Sequence, residues 1–584
     1  MTKTKKLINA PEDIIPQVIS GMVAAHPHLL TVEGATGRAI VAIDGPRDGK
    51  VGIVVGGGSG HEPAFAGYVG RGLADAAAVG NIFASPSPEQ ILDAARAADG
   101  GAGVCFLYGN YTGDVMNFTM AAEEMQASGV RVQQVAVSDD VASAPRDRRS
   151  ERRGIAGDFF VFKIAGAAAD LGEPLARVHA LAQKANDATL SMGVALGACS
   201  LPQTGKPNFE IGDDEMEIGM GLHGEPGIRR AKLASADEVT DELMDAILGE
   251  LAAQEGDRVA VLVNGLGATS LVELYIMFNR MSQILGDRGV KIHRSWVGEY
   301  ATSLEMAGAS ITVMRLDDEL AALLDHPCHT PALTVGAVQP AAGAAHRSAR
   351  KAATPVSQKA DALPTRDLID DGAITPAIFR EMMQGAGAEI ILRRDWLSEL
   401  DGVIGDGDHG VTMEIGWKAV LAALAGASDT ETIEGTCKRM AKAFLDAVGA
   451  SSGPLYATAF LRAGAAVGDR RNLDAGALAA WFAGAMQGIR DRGRAEPGDK
   501  TMVDAWAPAV EAAQASAASG DETQVMGAAR DGAEAGMKAT ADLESRRGRS
   551  AKLGARSRGH IDPGAASTFL MLHGMALTLE RLRA

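Results

Sequence analysis

The two halves of this 584-residue chain carry different hydrophobic patterns, and the change falls in an Ala- and Pro-rich stretch from Thr334 to Pro364. Before it, short apolar runs alternate with helix-length stretches. After it, helix-length stretches rich in Ala, Leu and Met follow one another. Short apolar runs that end in Gly, Asn or Asp are typical of buried parallel strands. The sequence therefore predicts an α/β half with two lobes, followed by an all-helical half.

We place the α/β domain at residues 1–335, a linker at 336–364 and the all-helical domain at 365–584. A break near residues 185–200 separates the two lobes. The predicted strands of the first domain are Val51–Val55, Gly103–Tyr108, Val130–Val137 and Val259–Val263. The predicted helices of the second domain are Leu368–Met383, Ala388–Leu400, Thr412–Leu424, Thr430–Val448, Ala475–Arg490, Met502–Ala518, Glu522–Ala541 and Ser567–Leu582.

Composition excludes some classes of function. The net charge of −18 argues against nucleic acid as a partner. The chain has no run of 18 apolar residues without a charge, so we expect no membrane span. The cysteines are far apart and form no Cys-x-x-Cys motif, which indicates buried thiols in a reducing compartment and a cytoplasmic protein. They are Cys105, Cys199, Cys328 and Cys437.

Three aspartates, Asp401, Asp406 and Asp408, lie within eight residues among glycines. Glycine permits tight turns that point several carboxylates at one place. Two such charges about 4 Å apart repel by roughly 4 kcal/mol, and a hard divalent cation among the oxygens relieves that repulsion. A solvated acidic loop is the alternative. The amphipathic stretches on both sides favour a metal site.

The first predicted strand runs directly into Gly56-Gly57-Gly58-Ser59-Gly60-His61. Backbone N–H groups in such a run can face the oxygens of a ligand. The run matches neither a Walker A loop nor a dinucleotide-binding Gly-x-Gly-x-x-Gly motif. A purely structural turn is the alternative, but His61 favours a site because imidazole exchanges protons near neutral pH.

Two further loops of the first domain carry candidate catalytic groups. Asp114 follows the strand Gly103–Tyr108 and could accept a proton from a substrate hydroxyl, or it could cap the next helix. His223 lies between Gly221 and Gly224, which leave its ring open to a small electrophile, whereas an isolated histidine is usually structural.

The helical half adds loops that offer hydroxyl and N–H donors to phosphate, and each alone is compatible with a helix cap or a turn. They are Gly449–Pro454, Gly493–Met502, Gly548–Ser550 and Gly559–Ala565. Together with a cation at the aspartates, they predict a nucleotide pocket at one end of a helical barrel.

These motifs resemble the dihydroxyacetone kinase family, in the form that fuses a ketose-binding domain to an ATP-binding domain. The resemblance covers nearly the whole chain, and the motifs occur in family order. They are Gly56–Pro63, Asn110–Phe118, Gly219–Gly227, Gly405–Gly410, Gly449–Tyr456, Gly498–Ala505 and Asp562–Ala565.

The resemblance implies that His223 binds the substrate carbonyl as a covalent hemiaminal, while His61 and Asp114 assist proton transfer. A neutral imidazole nitrogen can add to a ketone, which holds a small flexible sugar in place. The substrate-binding residues that the resemblance implies are Gly58, Ser59, Gly60, His61 and Asp114.

The resemblance also implies that Asp401, Asp406 and Asp408 hold Mg²⁺ against the phosphates of ATP, which is the direct phosphoryl donor. We expect a homodimer. The residues that match nucleotide contacts of the family are His409, Gly410, Val411, Thr412, Ser451, Ser452, Gly493, Met502, Arg549, Asp562, Pro563 and Gly564.

Two positions depart from the family pattern. Gly109 stands where a substrate-contacting Lys is frequent, and Lys552 stands where an aromatic residue is common. Losing the Lys removes a donor and opens volume, which favours a longer ketose such as the four-carbon erythrulose, and a three-carbon ketose is the equal alternative. Alternatives to the kinase are an FAD-AMP lyase that forms a cyclic phosphate in the helical domain, and a non-catalytic regulator, which the intact aspartates and phosphate loops disfavour.

Overall fold

The computed structural model describes residues 5–337, 374–428, 431–468 and 470–584, except the side chains of Arg549 and Lys552. The chain divides into two compact units, residues 1–341 and 342–584. Each unit is described by itself. The linker predicted at 336–364 lies outside the described residues from position 338 onward.

The first unit begins with a sheet whose described strands follow the order β1-β2-β4-β3-β5-β6. The strands are β1 (Leu30–Glu33), β2 (Ala39–Ala42), β3 (Gly52–Ser59), β4 (Ala76–Ile82), β5 (Val104–Gly109) and β6 (Val132–Val137). β3 to β6 pair in parallel, while β1 and β2 form an antiparallel edge. The first three predicted strands are therefore confirmed, but β3 continues through the glycine run to Ser59.

The second sheet follows the order β11-β10-β12-β7-β8-β9 within the described residues. Its strands are β7 (Thr189–Ala195), β8 (Glu215–Ile218), β9 (Arg229–Lys232), β10 (Arg258–Gly265), β11 (Lys291–Gly298) and β12 (Gly308–Leu316). The strand predicted at Val259–Val263 is confirmed within β10. The prediction that it lies in a parallel sheet is wrong, because β10 pairs in parallel with β11 but antiparallel with β12. An apolar run indicates burial and does not give the direction of neighbouring strands.

One buried helix joins the two sheets. The helices of this unit are α1 (Ile14–Ala25), α2 (Pro88–Ala98), α3 (Thr112–Ala127), α4 (Asp158–Asp170), α5 (Leu175–Ala188), α6 (Ala236–Leu251), α7 (Leu271–Asp287) and α8 (Asp318–Asp325). Every residue of α4 from Asp158 to Ala169 is buried. A helix that is apolar on all sides belongs in a core. One apolar cluster accordingly includes Ile53 of β3, Phe160 of α4 and Leu262 of β10, so the two lobes share a core.

The second unit is helical and closes on itself. Its helices are α9 (Pro376–Leu392), α10 (Arg394–Ile404), α11 (His409–Ala425), α12 (Ile433–Ala447), α13 (Ser452–Val467), α14 (Ala475–Gly493), α15 (Val503–Ser516), α16 (Glu522–Ala539) and α17 (Pro563–Arg583). Neighbours from α11 to α17 pack in chain order, and α9 packs against both α11 and α17. This ring confirms the predicted helical barrel.

Two details of the helical unit differ from the prediction. α9 continues to Leu392, so the predicted break before Ala388 is wrong. α13 was not predicted, because Gly453, Pro454 and Gly464 lower its helix propensity. Pro454 is tolerated because it lies in the first turn, where its missing N–H has no helical partner to lose.

Several helices begin at a side chain that accepts a backbone N–H, which stabilises a helix start by about 1 kcal/mol. These capping residues are Thr375, Thr432, Asp474, Asp521 and Asp562. Across the described ranges, no helix is long and apolar enough to span a bilayer. The thiols of all four cysteines are free and buried.

Candidate active site

His61 lies in the turn after β3 and is 2% exposed. Its ring stacks on Phe83, with the ring centroids 5.0 Å apart. Its Nδ1 lies 2.8 Å from the carbonyl oxygen of Thr302. Because a carbonyl oxygen only accepts hydrogen bonds, Nδ1 of His61 carries a hydrogen and donates it.

His223 lies on the loop between β8 and β9, in the second lobe. Its Nε2 is 3.1 Å from Nε2 of His61. The two rings meet edge to face, with an interplanar angle of 83°. The structure therefore brings together the two histidines that the sequence singled out in separate motifs.

Glu225 holds His223 from the other side of the ring. Its Oε1 lies 2.9 Å from Nδ1 of His223, and its Oε2 accepts the backbone N–H of His223 at 3.0 Å. Asn208 donates to the carbonyl oxygen of His223 at 2.8 Å. Neither residue is predicted from the sequence, although the His-x-Glu spacing of His223 and Glu225 is a signal that identifies Glu225.

Arg153 supports Glu225 and is 3% exposed. It donates from Nε to Asp140 at 2.8 Å and from Nη2 to the carbonyl oxygen of Gly219 at 2.9 Å, and its Nη1 lies 4.0 Å from Glu225 Oε2. Burial by itself lowers the pKa of a guanidinium, but the charges of Asp140 and Glu225 raise the pKa of Arg153 above its usual value. The buried cation therefore stays charged beside Glu225.

The glycines around His223 leave space for these supporting groups. A Cβ atom at Gly221 would lie 2.1 Å from Glu225 Oε2 and 2.5 Å from Arg153 Nη1. Gly224 has a φ of +84°, and a Cβ atom there would lie 2.2 Å from the amide nitrogen of Asn208. The sequence predicts that these glycines give an electrophile access to the ring, whereas the structure requires them for close packing beside the ring.

Asp114 lies in the first turn of α3 and accepts a hydrogen bond from Ser85 Oγ at 2.7 Å. The N-cap position of α3 is Tyr111, so Asp114 is not the capping residue. Ser85 is a further residue that the sequence analysis missed. The buried carboxylate of Asp114 is thus oriented by a hydroxyl donor, as a proton acceptor requires.

Two of the predicted substrate-binding residues, Ser59 and Gly60, already form hydrogen bonds within the protein. Ser59 Oγ donates to the carbonyl oxygen of Gly80 at 2.9 Å, and the Gly60 N–H donates to Glu62 Oε2 at 2.9 Å. A Cβ atom at Gly58 would lie 2.7 Å from the backbone nitrogen of Ala84. Contact of Gly58, Ser59 and Gly60 with a substrate stays a prediction.

Gly109 does not open free volume at its own position, contrary to our expectation. A Cβ atom there would lie 3.2 Å and 3.3 Å from two ring carbons of Tyr111. The Tyr111 ring packs edge-on against His223, with the ring centroids 4.7 Å apart. Its buried hydroxyl oxygen has no hydrogen-bond partner among the described residues. Tyr111 therefore fills the space between Gly109 and the His223 ring.

The three aspartates of the helical unit converge. Asp401 lies in the last turn of α10, and Asp406 and Asp408 lie in the loop before α11. One oxygen from each of the three carboxylates lies within 4.8 Å of the other two. Asp401 Oδ2 also accepts the backbone N–H groups of Asp408 at 3.0 Å and His409 at 3.2 Å. This arrangement offers a cation three carboxylate oxygens.

The electrostatics of this group fit a divalent cation. Burial, and then the charge of Asp401, raise the pKa of Asp408 to about 8. Its buried Oδ2 has no hydrogen-bond partner among the described residues. A buried carboxylate oxygen that repels its neighbours and has no donor is suited to a hard cation such as Mg²⁺. The donor set therefore matches the predicted metal.

The residues predicted to contact nucleotide lie at helix termini of the same unit. His409 to Thr412 form the first turn of α11, Ser451 and Ser452 begin α13, and Asp562 to Gly564 begin α17. Gly493 ends α14 and Met502 precedes α15. Helix N-termini present N–H groups and positive potential to phosphate. The side chain of Arg549 lies outside the described residues.

A hydrogen-bond network shows that three of these helix starts meet. Ser567 Oγ lies 3.0 Å from His409 Nε2 and 3.1 Å from the Tyr456 hydroxyl, which joins α17 to α11 and α13. Burial lowers the pKa of His409, although Asp401 opposes the shift. The N-terminal segments of α11, α13 and α17 are therefore close neighbours.

Lys500 is a buried cation beside these loops that the sequence analysis left without a role. It donates to the carbonyl oxygens of Thr540 at 2.6 Å, Leu543 at 3.3 Å and His560 at 2.5 Å. It thereby links the segment that contains Thr540 and Leu543 to the segment that contains His560, next to Asp562. Burial raises the pKa of Asp562 to about 7, against the opposing effects of the Ala565 N–H and Lys500.

Comparisons with known proteins match both units. A Dak1 domain matches residues 20–332 and a DAK2 domain matches residues 403–577. Two relatives from Mycolicibacterium smegmatis match 98% of this chain: an L-erythrulose 1-kinase, 38% identical over its whole length, and a D-erythrulose kinase, 40% identical over 98% of its length. The crystal structure of the dihydroxyacetone kinase from C. freundii with AMP-PNP and Mg²⁺ is 28% identical, with a TM-score of 0.53 over 98% of this chain and 99% of that one.

Proposed function

This chain belongs to the dihydroxyacetone kinase family with fused Dak1 and DAK2 domains, and on that premise we propose that it transfers the terminal phosphoryl group of ATP to a hydroxyl of a short-chain ketose. Phosphotransfer to an alcohol group is the activity that its full-length relatives carry in their names. The first unit would bind the ketose, and the second unit would bind ATP and Mg²⁺.

The observation that carries the proposal is the contact between His61 and His223, with Glu225 behind it. The carboxylate at Nδ1 of His223 orients the ring, and Nε2 on the opposite side faces Nε2 of His61. Nε2 of His223 adds to the ketose carbonyl and forms a hemiaminal. This bond holds a small, flexible molecule at one position, which lowers the entropic part of the barrier.

Asp114 is the group that accepts the proton of the reacting hydroxyl. Its orientation by Ser85 at 2.7 Å supports this role. Once the ketose is held by His223, a correctly placed carboxylate is worth about 10²- to 10⁴-fold in rate. The assignment of Asp114 remains part of the proposal.

Asp401, Asp406 and Asp408 would hold Mg²⁺, which would offset the charge of the phosphates of bound ATP. The starts of α11, α13 and α17 bind the phosphates through backbone N–H groups. Met502 lies beside Gly564, since a Cβ atom at Gly564 would be 3.4 Å from the Met502 Cβ. These two residues line the nucleotide from one side.

We propose a ketose of three or four carbons. The names of the two mycobacterial relatives favour erythrulose, which has four. ADP release should be measured with dihydroxyacetone, D-erythrulose, L-erythrulose and glyceraldehyde. A preference of at least tenfold for one erythrulose would assign the four-carbon class, and equal rates on all four would contradict any selectivity at Gly109 and Tyr111.

His223→Ala tests the covalent step. We expect loss of the adduct with ¹³C-carbonyl-labelled dihydroxyacetone and a kinase rate at least 10²-fold lower, as for removal of a covalent nucleophile. His179→Ala is the control, because His179 lies in the same unit and its Nε2 lies 3.2 Å from the carbonyl oxygen of Gln134. An unchanged kinase rate in His223→Ala would contradict the proposal. The cyclising lyase alternative would survive this substitution, since it does not use His223.

A further inference from the structure

Three contacts join four groups in a row at the candidate ketose site. The carbonyl oxygen of Thr302 lies 2.8 Å from Nδ1 of His61, Nε2 of His61 lies 3.1 Å from Nε2 of His223, and Nδ1 of His223 lies 2.9 Å from Oε1 of Glu225. All three distances are those of hydrogen bonds. Each contact therefore needs one hydrogen between its two heavy atoms.

A count of hydrogens shows that neutral rings are not sufficient. A neutral imidazole carries one ring hydrogen and an ionised carboxylate carries none, so two neutral histidines and Glu225 supply two hydrogens for three contacts. We propose that the resting site holds one additional proton, shared between Nε2 of His61 and Nε2 of His223. The positive charge of this pair is balanced by Glu225.

Glu225 is the counter-ion rather than the carrier of this proton. Its Oε2 accepts the backbone N–H of His223 at 3.0 Å and lies 4.0 Å from Arg153 Nη1. Donors and a nearby cation favour the ionised carboxylate. Arg153 is in turn held by Asp140, with Nη2 2.7 Å from Oδ2. We therefore place the proton between Nε2 of His61 and Nε2 of His223, which lie 3.1 Å apart.

The surroundings of the pair favour one shared charge. Phe83 packs against both rings, with centroid distances of 5.0 Å to His61 and 5.2 Å to His223, and makes that side apolar. The charged and titratable groups around the pair include Glu62, Tyr111, Asp140, Asp158, Arg153 and Glu225. A second proton on the pair would place two cations in contact, which a buried site disfavours.

The shared proton has a use in substrate capture, and this step rests on the proposed function. The Nε2 lone pair of His223 forms the bond to the carbonyl carbon, and the C=O π pair moves to the oxygen. That oxygen takes the shared proton from His61 and becomes the hemiaminal hydroxyl. The positive charge remains on the His223 ring beside Glu225, and His61 keeps its Nδ1 hydrogen. No proton is exchanged with solvent.

The proton balance of binding should therefore depend on pH. While the pair holds its proton, ketose capture is proton-neutral. Once the pair has lost it at higher pH, two lone pairs face each other, and capture must take one proton from solvent. The site thus binds its substrate without proton uptake only in the protonated resting state.

Neutron diffraction from deuterium-exchanged crystals of the full chain at pH 6, without ketose, tests the resting state directly. We expect a deuteron in each of the three contacts. A map with none between Nε2 of His61 and Nε2 of His223 would overturn the proposal. This result does not depend on whether a covalent adduct forms.

Calorimetry of dihydroxyacetone binding without ATP, in two buffers of different ionisation enthalpy, measures proton uptake from pH 6 to 9.5. In Glu225→Gln the pair loses its counter-ion, so its proton affinity falls about tenfold and uptake begins about one pH unit lower. The control is Glu217→Gln, another buried carboxylate of this lobe, which accepts the Gly227 N–H at 2.9 Å. Onset at the same pH in Glu225→Gln and the unaltered protein would overturn the proposal. Absence of a ¹³C adduct signal would instead contradict the covalent function.

Discussion

Nε2 of His61 and Nε2 of His223 lie 3.1 Å apart, although 162 positions separate them in the chain. His61 follows a strand of the first sheet, and His223 lies on a loop of the second. Their contact exists because buried helix α4 joins the two sheets in one core. Any change that loosens this core should therefore weaken the proposed ketose capture.

Asp114→Asn should lower kcat about 10²- to 10⁴-fold and leave ketose adduct formation intact, because the amide cannot accept the hydroxyl proton. Steady-state kinetics and the ¹³C adduct signal measure the two effects separately. Asp93→Asn is a matched control, since Asp93 is also buried and accepts a hydroxyl, that of Thr36, at 2.7 Å. Loss of the adduct in Asp114→Asn would show a role in binding instead.

At a pH above the raised pKa of Asp408, which is about 8, Asp408→Asn should raise the melting temperature of the metal-free protein and reduce the further stabilisation by Mg²⁺. The substitution removes one of three mutually repelling carboxylates and one ligand of the cation. Bound Mg²⁺ at 100 times its Kd stabilises a protein by about 2.7 kcal/mol. Calorimetric melting with and without Mg²⁺ measures both effects. Asp395→Asn on α10 is exposed and should change neither; an unaltered Mg²⁺ response in Asp408→Asn would argue against the metal site.

Gly109→Ala should change the ratio of kcat/KM for erythrulose over dihydroxyacetone, because the new methyl group forces the Tyr111 ring toward His223. We expect a stability loss of about 1 kcal/mol from this overpacking. Gly249→Ala in α6 has open space around it and should stabilise the unit by about 0.5–1 kcal/mol. If the two ketoses were used in the same ratio as before, Tyr111 would have no part in selectivity.

Asp562 should make the helical unit less stable as the pH rises from about 4 to about 7. Its pKa is raised from 3.8 to about 7 by burial, so between these values the native carboxyl keeps a proton that the unfolded chain has lost. The free energy of unfolding then falls with pH, by at most about 1.4 kcal/mol per unit. Asp562→Asn keeps a capping oxygen and removes the titration. Urea unfolding from pH 4.5 to 7.5 should show a changing difference between the two proteins, and a constant difference would contradict the prediction.

Local pattern was sufficient for much of this protein. Strands β3, β5, β6 and β10, the helical ring and the residue types of both candidate sites follow from apolar periodicity and from glycine-rich loops. The pattern did not predict α13, because two glycines and a proline lower the helix propensity of a segment that packing stabilises as a helix. It also failed for the second sheet, where β10 has one parallel and one antiparallel neighbour. Periodicity reports burial of a segment, and the direction of its neighbours depends on the path of the rest of the chain.

The sequence by itself determined which residues are candidates for chemistry: His61, Asp114, His223 and the three aspartates of the helical unit. Only the tertiary structure decided that the two histidines are in contact, that Glu225 binds His223 with Arg153 next to it, and that Tyr111 fills the space beside Gly109. These relationships join segments from both lobes of one core. A residue type can be recognised from its neighbours in the chain, whereas a hydrogen bond depends on distances that packing alone sets.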